Sequence, residues 1–445
     1  MNRQMEDKPQ RVPEPKTRTS PGGDVRSRWE WVEPAVWTKR MLTTLENGVR
    51  GGKWHSLIDK VYAKETLAAA YRQVASNEGA AGVDHVTVDA FGRRLDENLD
   101  YLHRTLKDGT YRPQAIRRVH IPKPGSREKR PLGIPTVCDR VAQTALKQVL
   151  EPIFERDFAG QSYGFRPGCS CKDALRRVDE LLKAGYSYIV DADLKSYFDT
   201  IQHDRLIALI RQKVSDRRIV ALVEQYLKQG VMEEQGVYEP EEGSPQGAPI
   251  SPLLSNIYLD GLDHLMAKSG FEMIRYADDF VLLCRIGAEA EEALAIVKVW
   301  VAEAGLQLHP EKTCILTHEE GFDFLGYHFE RGKRWPREKS IKKVKDVIRA
   351  KTRRSNGHSL DYIIWDVNRT LRGWYPYYKH SRRKTFEKLD GWVRMRLRSI
   401  LRKREKRRGP GRGYDHIKWP KPFFASQGLF SLEIAHILEC QSSTR

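Results

Sequence analysis

The chain has 445 residues, 31% of them charged, with a formal net charge of +18. That length supports two or three packed domains, and the charge points to a polyanionic partner. The six cysteines (Cys138, Cys169, Cys171, Cys284, Cys314 and Cys440) contain no C-x-x-C pair, which argues against a zinc site. No stretch reads as a signal peptide or as the roughly 20 apolar residues of a membrane span, so no membrane partner is expected and a reducing cytoplasm is the implied compartment.

The charge is concentrated in one segment. Residues 331–410 hold 28 Lys and Arg against 7 Asp and Glu, leaving the other 365 residues at about −3. In chain order, residues 1–28 carry Pro9, Pro13, Pro15 and Pro21 among polar side chains and read as disordered. Trp29, Trp31 and Trp37 then begin the ordered part as packing residues. Residues 56–108 read as helices separated by a loop at Asn77–Asp84. Residues 111–135 alternate Arg and Lys with Ile, Val and Pro, as a basic hairpin does. Helices are expected over 136–185, broken by Gly160–Gly168, whose aromatic-Arg centre suits a template backbone or a structural bridge across loop carbonyls.

The β-branched run Tyr188–Asp193 reads as a strand, with Asp191 and Asp193 on the same face and Tyr197-Phe198 beyond it. Residues 203–229 are amphipathic and helical. Gly243-Ser244-Pro245-Gln246-Gly247 is a rigid loop entering a further helix. The stretch Ile274–Cys284 predicts a hairpin turning at Ala277-Asp278-Asp279. Two adjacent carboxylates at the edge of a core are costly unless cations neutralise them, and hard divalent ions take carboxylate oxygens. Nucleotidyl transfer by two metals about 3.5–4 Å apart needs acids converging from separate strands, and Asp193 with Asp278 and Asp279 meets that need. A helix over 288–304 and a hairpin at Phe322–Phe329 follow. Beyond Arg334 the Lys/Arg-rich helical pattern carries Trp365, Trp374, Tyr375, Tyr377, Tyr378 and Trp392, rings able to stack on unpaired bases or to line helix contacts. The basic run Arg402–Arg412 reads as flexible, and Phe423–Cys440 as a final docking helix.

Eight short motifs recur in one order over about residues 111–330: Ile121-Pro122-Lys123-Pro124, Arg130–Pro135, Tyr163–Pro167, the Asp193 block, Gly243–Gly247, Tyr276–Asp279, Leu308–Thr313 and Phe324–Tyr327. In that order the chain resembles bacterial group II intron-encoded reverse transcriptases with maturase activity, and Leu371–Tyr378 is similar to their maturase motif. The resemblance implies an α+β right-hand polymerase with fingers, palm and a helical thumb. It implies two Mg²⁺ ions on Asp193, Asp278 and Asp279, choosing Asp193 over Asp191. It places Lys123, Arg130, Tyr197 or Phe198 as sugar gate, Gln246 and Lys312 around the incoming dNTP. Arg166 and the Phe324-Leu325-Gly326 grip are assigned to template and primer, and Arg372, Trp374, Tyr375 and Tyr378 to RNA.

The expected organisation is an N-terminal extension over 1–50, fingers and palm over 51–330, a thumb/maturase domain over 331–400 and a basic tail over 401–445, a possible DNA-binding region. Expected partners are group II intron RNA, a DNA target and primer, with the protein a monomer or homodimer working at the bacterial nucleoid. No C-terminal endonuclease is expected. The rival readings are a reverse transcriptase co-opted by a retron, phage-defence or CRISPR system, and an RNA-binding maturase that does not polymerise.

Overall fold

The computed structural model describes residues 28–49, 51–122, 129–233, 236–409 and 413–442. Two compact units divide the chain, Met1–Ile315 and Leu316–Arg445. Of the residues 1–28 expected to be disordered, 1–27 lie outside the described residues, as does the tip of the basic hairpin, 123–128 with Lys123, while Arg28 is ordered and donates to Glu46 at 2.8 Å.

The first unit opens with a helical layer: α1 Lys39–Asn47, α2 Ile58–Val61, α3 Lys64–Ser76, α4 Val88–Gly92 and α5 Leu95–Asp108. α5 shows why these segments coil and dock. Leu99, Leu102 and Leu106 recur every three or four residues on its buried face, and Gly109, left-handed at φ 74°, ends it. Strands β1 Ile116–Pro122 and β2 Lys129–Ile134 pair antiparallel, while β4 Val231–Glu233 runs parallel to β1 and pairs with β5 Gly236–Tyr238.

The second sheet positions the acids. Its strands are β3 Tyr188–Asp193, β6 Glu272–Tyr276, β7 Asp279–Cys284 and β8 Cys314–Thr317, in the order β6-β7-β3-β8. Every residue of β7 after Asp279 is buried, so its sequence is continuously apolar rather than alternating. The helices packed on this sheet are α7 Cys171–Lys183, α10 Ser251–Lys268 and α11 Gly287–Glu303. α6 Val137–Glu155, α8 His203–Lys213 and α9 Arg217–Leu227 complete the unit.

The second unit begins with the antiparallel meander β9 Phe322–Phe324, β10 Tyr327–Glu330 and β11 Lys333–Pro336. Helices α12 Glu338–Lys351, α13 Leu360–Tyr378, α14 Arg383–Arg404, α15 Asp415–Lys418, α16 Lys421–Ser426 and α17 Leu432–Ser442 follow. Ile363, Ile364, Val367 and Leu371 of α13 meet Phe386, Leu389, Val393 and Leu397 of α14 in one core. Buried Asp390 accepts hydrogen bonds from Ser431 Oγ (2.6 Å) and from the Leu432 and Glu433 N–H groups (3.1 Å each), fixing the start of α17. The segment expected as a basic tail departs from that reading between Arg402 and Gly409. Arg402 and Arg407 donate to fully buried Asp415 at 2.7 and 3.1 Å, because a buried carboxylate requires paired donors. Among the described residues no helix is long and apolar enough to cross a membrane.

Candidate active site: three acids at one end of the second sheet

Register brings the acids together. β3 and β7 pair antiparallel so that Asp193 stands directly opposite Asp279, whereas Asp191 stands opposite Val281. β6 and β7 join through a two-residue turn, Ala277-Asp278, closed by the pair Tyr276 and Asp279. Like charges facing each other across strands are destabilising, so the fold tolerates a local electrostatic cost here. Burial, with Asp193 nearby, pushes the Asp278 carboxyl above its ordinary range, and the charges of Arg130 and Arg275 only partly oppose that.

The turn is held from beneath. Ala277 sits at φ 61°, a strained conformation for a residue with a Cβ. Its carbonyl accepts from Arg275 Nη1 at 2.9 Å, and the same nitrogen donates to Asn256 Oδ1 at 3.0 Å. The rest of the guanidinium forks onto Asp263, with Nε to Oδ1 at 2.7 Å, and both partners are fully buried. From the side, the Gln161–Gly164 segment exchanges backbone bonds with Arg275, Tyr163 N–H to its carbonyl at 2.8 Å and its N–H to Gln161 O at 3.0 Å. Asn256 Nδ2 then donates to Gly164 O at 2.9 Å. A Cβ on Gly164 would lie 2.1 Å from Ala277 N, so only glycine lets the Tyr163–Pro167 loop touch the acidic turn.

These supports were missed from sequence, although a signal exists. Arg275 is a charge inside an apolar strand, and Asn256 and Asp263 lie two helical turns apart on one face of an otherwise apolar helix.

Around the acids, the segment before β8 runs beside the end of β3, with His309 N–H donating to Asp193 O at 2.7 Å. That approach carries the Lys312 ammonium onto the Asp193 carboxylate. Arg130 is exposed on β2. Tyr197 is 2% exposed and its hydroxyl donates to Ser255 O at 2.8 Å, whereas Phe198 is half-buried and lines a cleft of about 330 Å³ with Gly243, Ser244 and Pro245. The Gly243–Gly247 loop is tied on both sides. Ser244 N–H donates to Phe198 O at 2.7 Å, and Gln246 O accepts from Gly133 N–H at 2.6 Å. A Cβ on Gly247 would come within 2.6 Å of Gly133 O, so two glycine-bearing motifs far apart in sequence meet backbone to backbone.

Other expected site residues are placed differently. Arg166 donates to Glu155 through Nε and Nη2 and to Ala159 O and Ser162 O at 2.6 and 2.7 Å. It is therefore the bridge across loop carbonyls and not a free template contact. Tyr375 is 7% exposed against Phe386 and Phe430, a core ring rather than an RNA contact. Trp374 stacks on Tyr378 at 4.5 Å, and exposed Arg372 lies 5.5 Å over Phe430. In the second unit, Phe324 is buried, and Leu325 and Gly326 form a two-residue turn with φ 45° and 83°. The Tyr377 hydroxyl donates to Leu325 O at 2.6 Å, and Ser340 Oγ and Arg337 N–H donate to Gly326 O at 3.1 and 3.0 Å.

Among the described residues no three His, Cys, Asp or Glu side chains are already drawn together as a metal-holding group, and at Asp193 the Lys312 ammonium is the counter-charge. The donor set nevertheless fits a hard divalent ion. Three carboxylate-bearing residues stand at one sheet end, Asp193 opposite Asp279 and Asp278 in the adjoining turn, and a hard cation takes oxygen ligands of that kind. A sheet whose edge hairpin carries two of the acids, with the third on the strand antiparallel to it, defines the palm of a right-hand polymerase.

Comparison with known proteins narrows that class. Residues 121–329 match the family model "Reverse transcriptase (RNA-dependent DNA polymerase)", and residues 341–418 match "Group II intron, maturase-specific domain". Protein YkfC of Escherichia coli K12 is 34% identical over 353 residues, which is 70% of this chain and 91% of YkfC. The group II intron-encoded protein LtrA of Lactococcus lactis subsp. cremoris is 41% identical over 201 residues, 45% of this chain and only 33% of LtrA. A solved partial Cas6-RT-Cas1–Cas2 complex aligns at 24% identity and TM-score 0.37, covering 56% of this chain and 43% of that one, too slight a likeness to argue from. The chain belongs to the group II intron reverse transcriptase and maturase family.

Proposed function

We propose that the chain binds its group II intron RNA, assists its splicing, and copies it into DNA during intron mobility, joining dNTPs to the 3′ end of a primer at a DNA target. The observation that carries this reading is the pairing of Asp193 with Asp279 beside Asp278, under the reach of Arg130 and Lys312. Asp193, Asp278 and Asp279 would hold two Mg²⁺, which when bound activate the primer hydroxyl and offset phosphate charge. Arg275 keeps the turn in the shape that presents Asp278 and Asp279 together. Arg130 binds the nucleotide phosphates, with Lys123 as its proposed neighbour, and Lys312 offers a cation to the departing pyrophosphate. Phe198, the half-exposed ring of its pair, blocks a 2′-hydroxyl, while Tyr197 holds the floor. Gln246 lies against the nucleotide, and the Leu325-Gly326 turn grips the primer. The maturase-model match over 341–418 favours the intron role over a co-opted one.

The test is primer extension by the purified chain on an RNA template with dNTPs and Mg²⁺, beside an RNA-splicing assay. Asp278→Asn should abolish extension and spare splicing support. Extension at the wild-type rate in that variant would refute the site.

A further inference from the structure

α13 turns two unlike faces outward and inward. Inward go Ile363, Ile364, Val367, Leu371 and Tyr375. The opposite face carries two rings that stay about half exposed: Tyr362 is 47% and Trp365 52% exposed. They form a ladder with their neighbours. His358 lies 4.5 Å from Tyr362, Tyr362 lies 5.6 Å from Trp365, with interplanar angles of 37° and 36°, and the Arg369 guanidinium lies 5.1 Å over Trp365.

One turn beyond Arg369, on the same stripe at helical spacing, stands Gly373. A glycine inside a helix costs about 1 kcal/mol relative to alanine. Internal packing does not explain it here, because a Cβ at Gly373 would meet nothing within 4 Å. The helix thus gives up stability to leave its backbone bare where only an outside molecule could use the room. On this face Arg369 and Arg372 are exposed and Asp366 is paired with Lys351 at 2.6 Å, while Asp361, also exposed, stands at the start of the helix, at the far end from Gly373. Planar rings, a guanidinium over one of them and an open stretch of backbone suit a ligand with π-faces and negative charge.

From this we infer that the outer face of α13, Tyr362 through Gly373, is a docking site for unpaired RNA bases, which stack on Tyr362 and Trp365 while the sugar-phosphate chain passes close over Gly373. The inference rests on the reading of the chain as an RNA-binding protein and deepens it by naming unpaired bases as the ligand. Aliphatic side chains, which would suit a protein partner, are turned inward on this helix.

The test uses the full chain and an unstructured labelled RNA oligonucleotide, with affinity measured against salt concentration, and a double-stranded RNA as control. Tyr362→Ala and Trp365→Ala should each weaken single-strand binding by about tenfold without changing the salt slope, because stacking releases no counterions. Arg369→Ala should shallow the slope. Gly373→Ala should raise the thermal midpoint while weakening the same binding, a pairing that damage to the fold cannot produce. Unchanged single-strand affinity in Trp365→Ala and Gly373→Ala would overturn the inference, as would equal losses on duplex RNA. Loss of self-association in Trp365→Ala with RNA affinity intact would give the face to a second copy of the chain instead. Asp278→Asn, which removes the polymerase site, should leave every one of these affinities unchanged, so the two readings fail separately.

Discussion

Arginine serves opposite ends in two regions, the support beneath the acidic turn and the outer face of α13. In the first, Arg275 is fully buried and each of its guanidinium nitrogens is engaged, by Asp263, Asn256 or Ala277 O. Arg166 is likewise occupied by Glu155 and two carbonyls. In the second, Arg369 and Arg372 are exposed and rest on the faces of Trp365 and Phe430. A buried guanidinium needs partners within the chain and so becomes part of the scaffold, whereas an exposed one on a ring keeps its charge for a ligand. The same division separates the acids. Asp263 is matched internally, whereas Asp193, Asp278 and Asp279 share one sheet end.

Substitutions can break or sharpen this division. The largest effect should come from Asp278→Asn, lowering primer extension by roughly a thousandfold or more while RNA affinity is kept. Because burial and Asp193 raise the Asp278 pKa, that carboxyl favours the folded state only while protonated, and its contribution is lost as pH rises through the raised value. The same variant should therefore melt at a higher temperature than wild type at neutral pH without divalent ions, and a lower midpoint would contradict the crowding of acids described above.

Next in size, Arg275→Met leaves Asp263 buried without its counter-ion and should cost about 3–5 kcal/mol in urea unfolding. Arg369→Ala should stay within about 0.5 kcal/mol. Equal costs at the two positions would erase the distinction between scaffold and ligand arginines. The paired rings come third. Phe198→Ala should raise ribonucleotide incorporation relative to deoxynucleotide by about tenfold or more. Tyr197→Phe, losing one hydrogen bond to Ser255 O, should cost about 1 kcal/mol and leave nucleotide choice alone. The smallest effect concerns pH. Extension should fall on the acid side at a pH above the ordinary carboxylate range, as Asp278 takes up its proton. Higher Mg²⁺ should move that limb downward, and a limb insensitive to Mg²⁺ would assign it to another group.

Much of the fold was legible because it is written locally. The apolar run of β7, the leucine spacing of α5 and the glycine-ended loops each follow from neighbours within a few residues. The acidic turn was legible for the same reason, since adjacent carboxylates in an apolar stretch have few stable uses. The surroundings of Arg166 and Tyr375 were not legible because their partners sit elsewhere: Glu155 and two loop carbonyls for one, Phe386 and Phe430 for the other. Arg402 and Arg407 of the basic run expected to be flexible are tied down for a similar reason, since Asp415 lies beyond the run in the chain and no local pattern announces the pairing.

By itself the amino-acid sequence determined the chemistry on offer, the order of the motifs and the segregation of positive charge into residues 331–410. The tertiary structure set the two members of each ambiguous pair in different surroundings, where strand period and adjacency leave them alike and only the resemblance had chosen Asp193. A strand's two-residue period puts Asp191 and Asp193 on one face alike, and the partner across the sheet, Val281 or Asp279, is what tells them apart. Tyr197 and Phe198 are adjacent aromatic rings, and the packing of helix α10, whose Ser255 carbonyl receives the tyrosine hydroxyl, buries one and leaves the other in the cleft. Burial and hydrogen-bond partnership belong to residues brought close by folding, so no reading confined to neighbours along the chain can supply them.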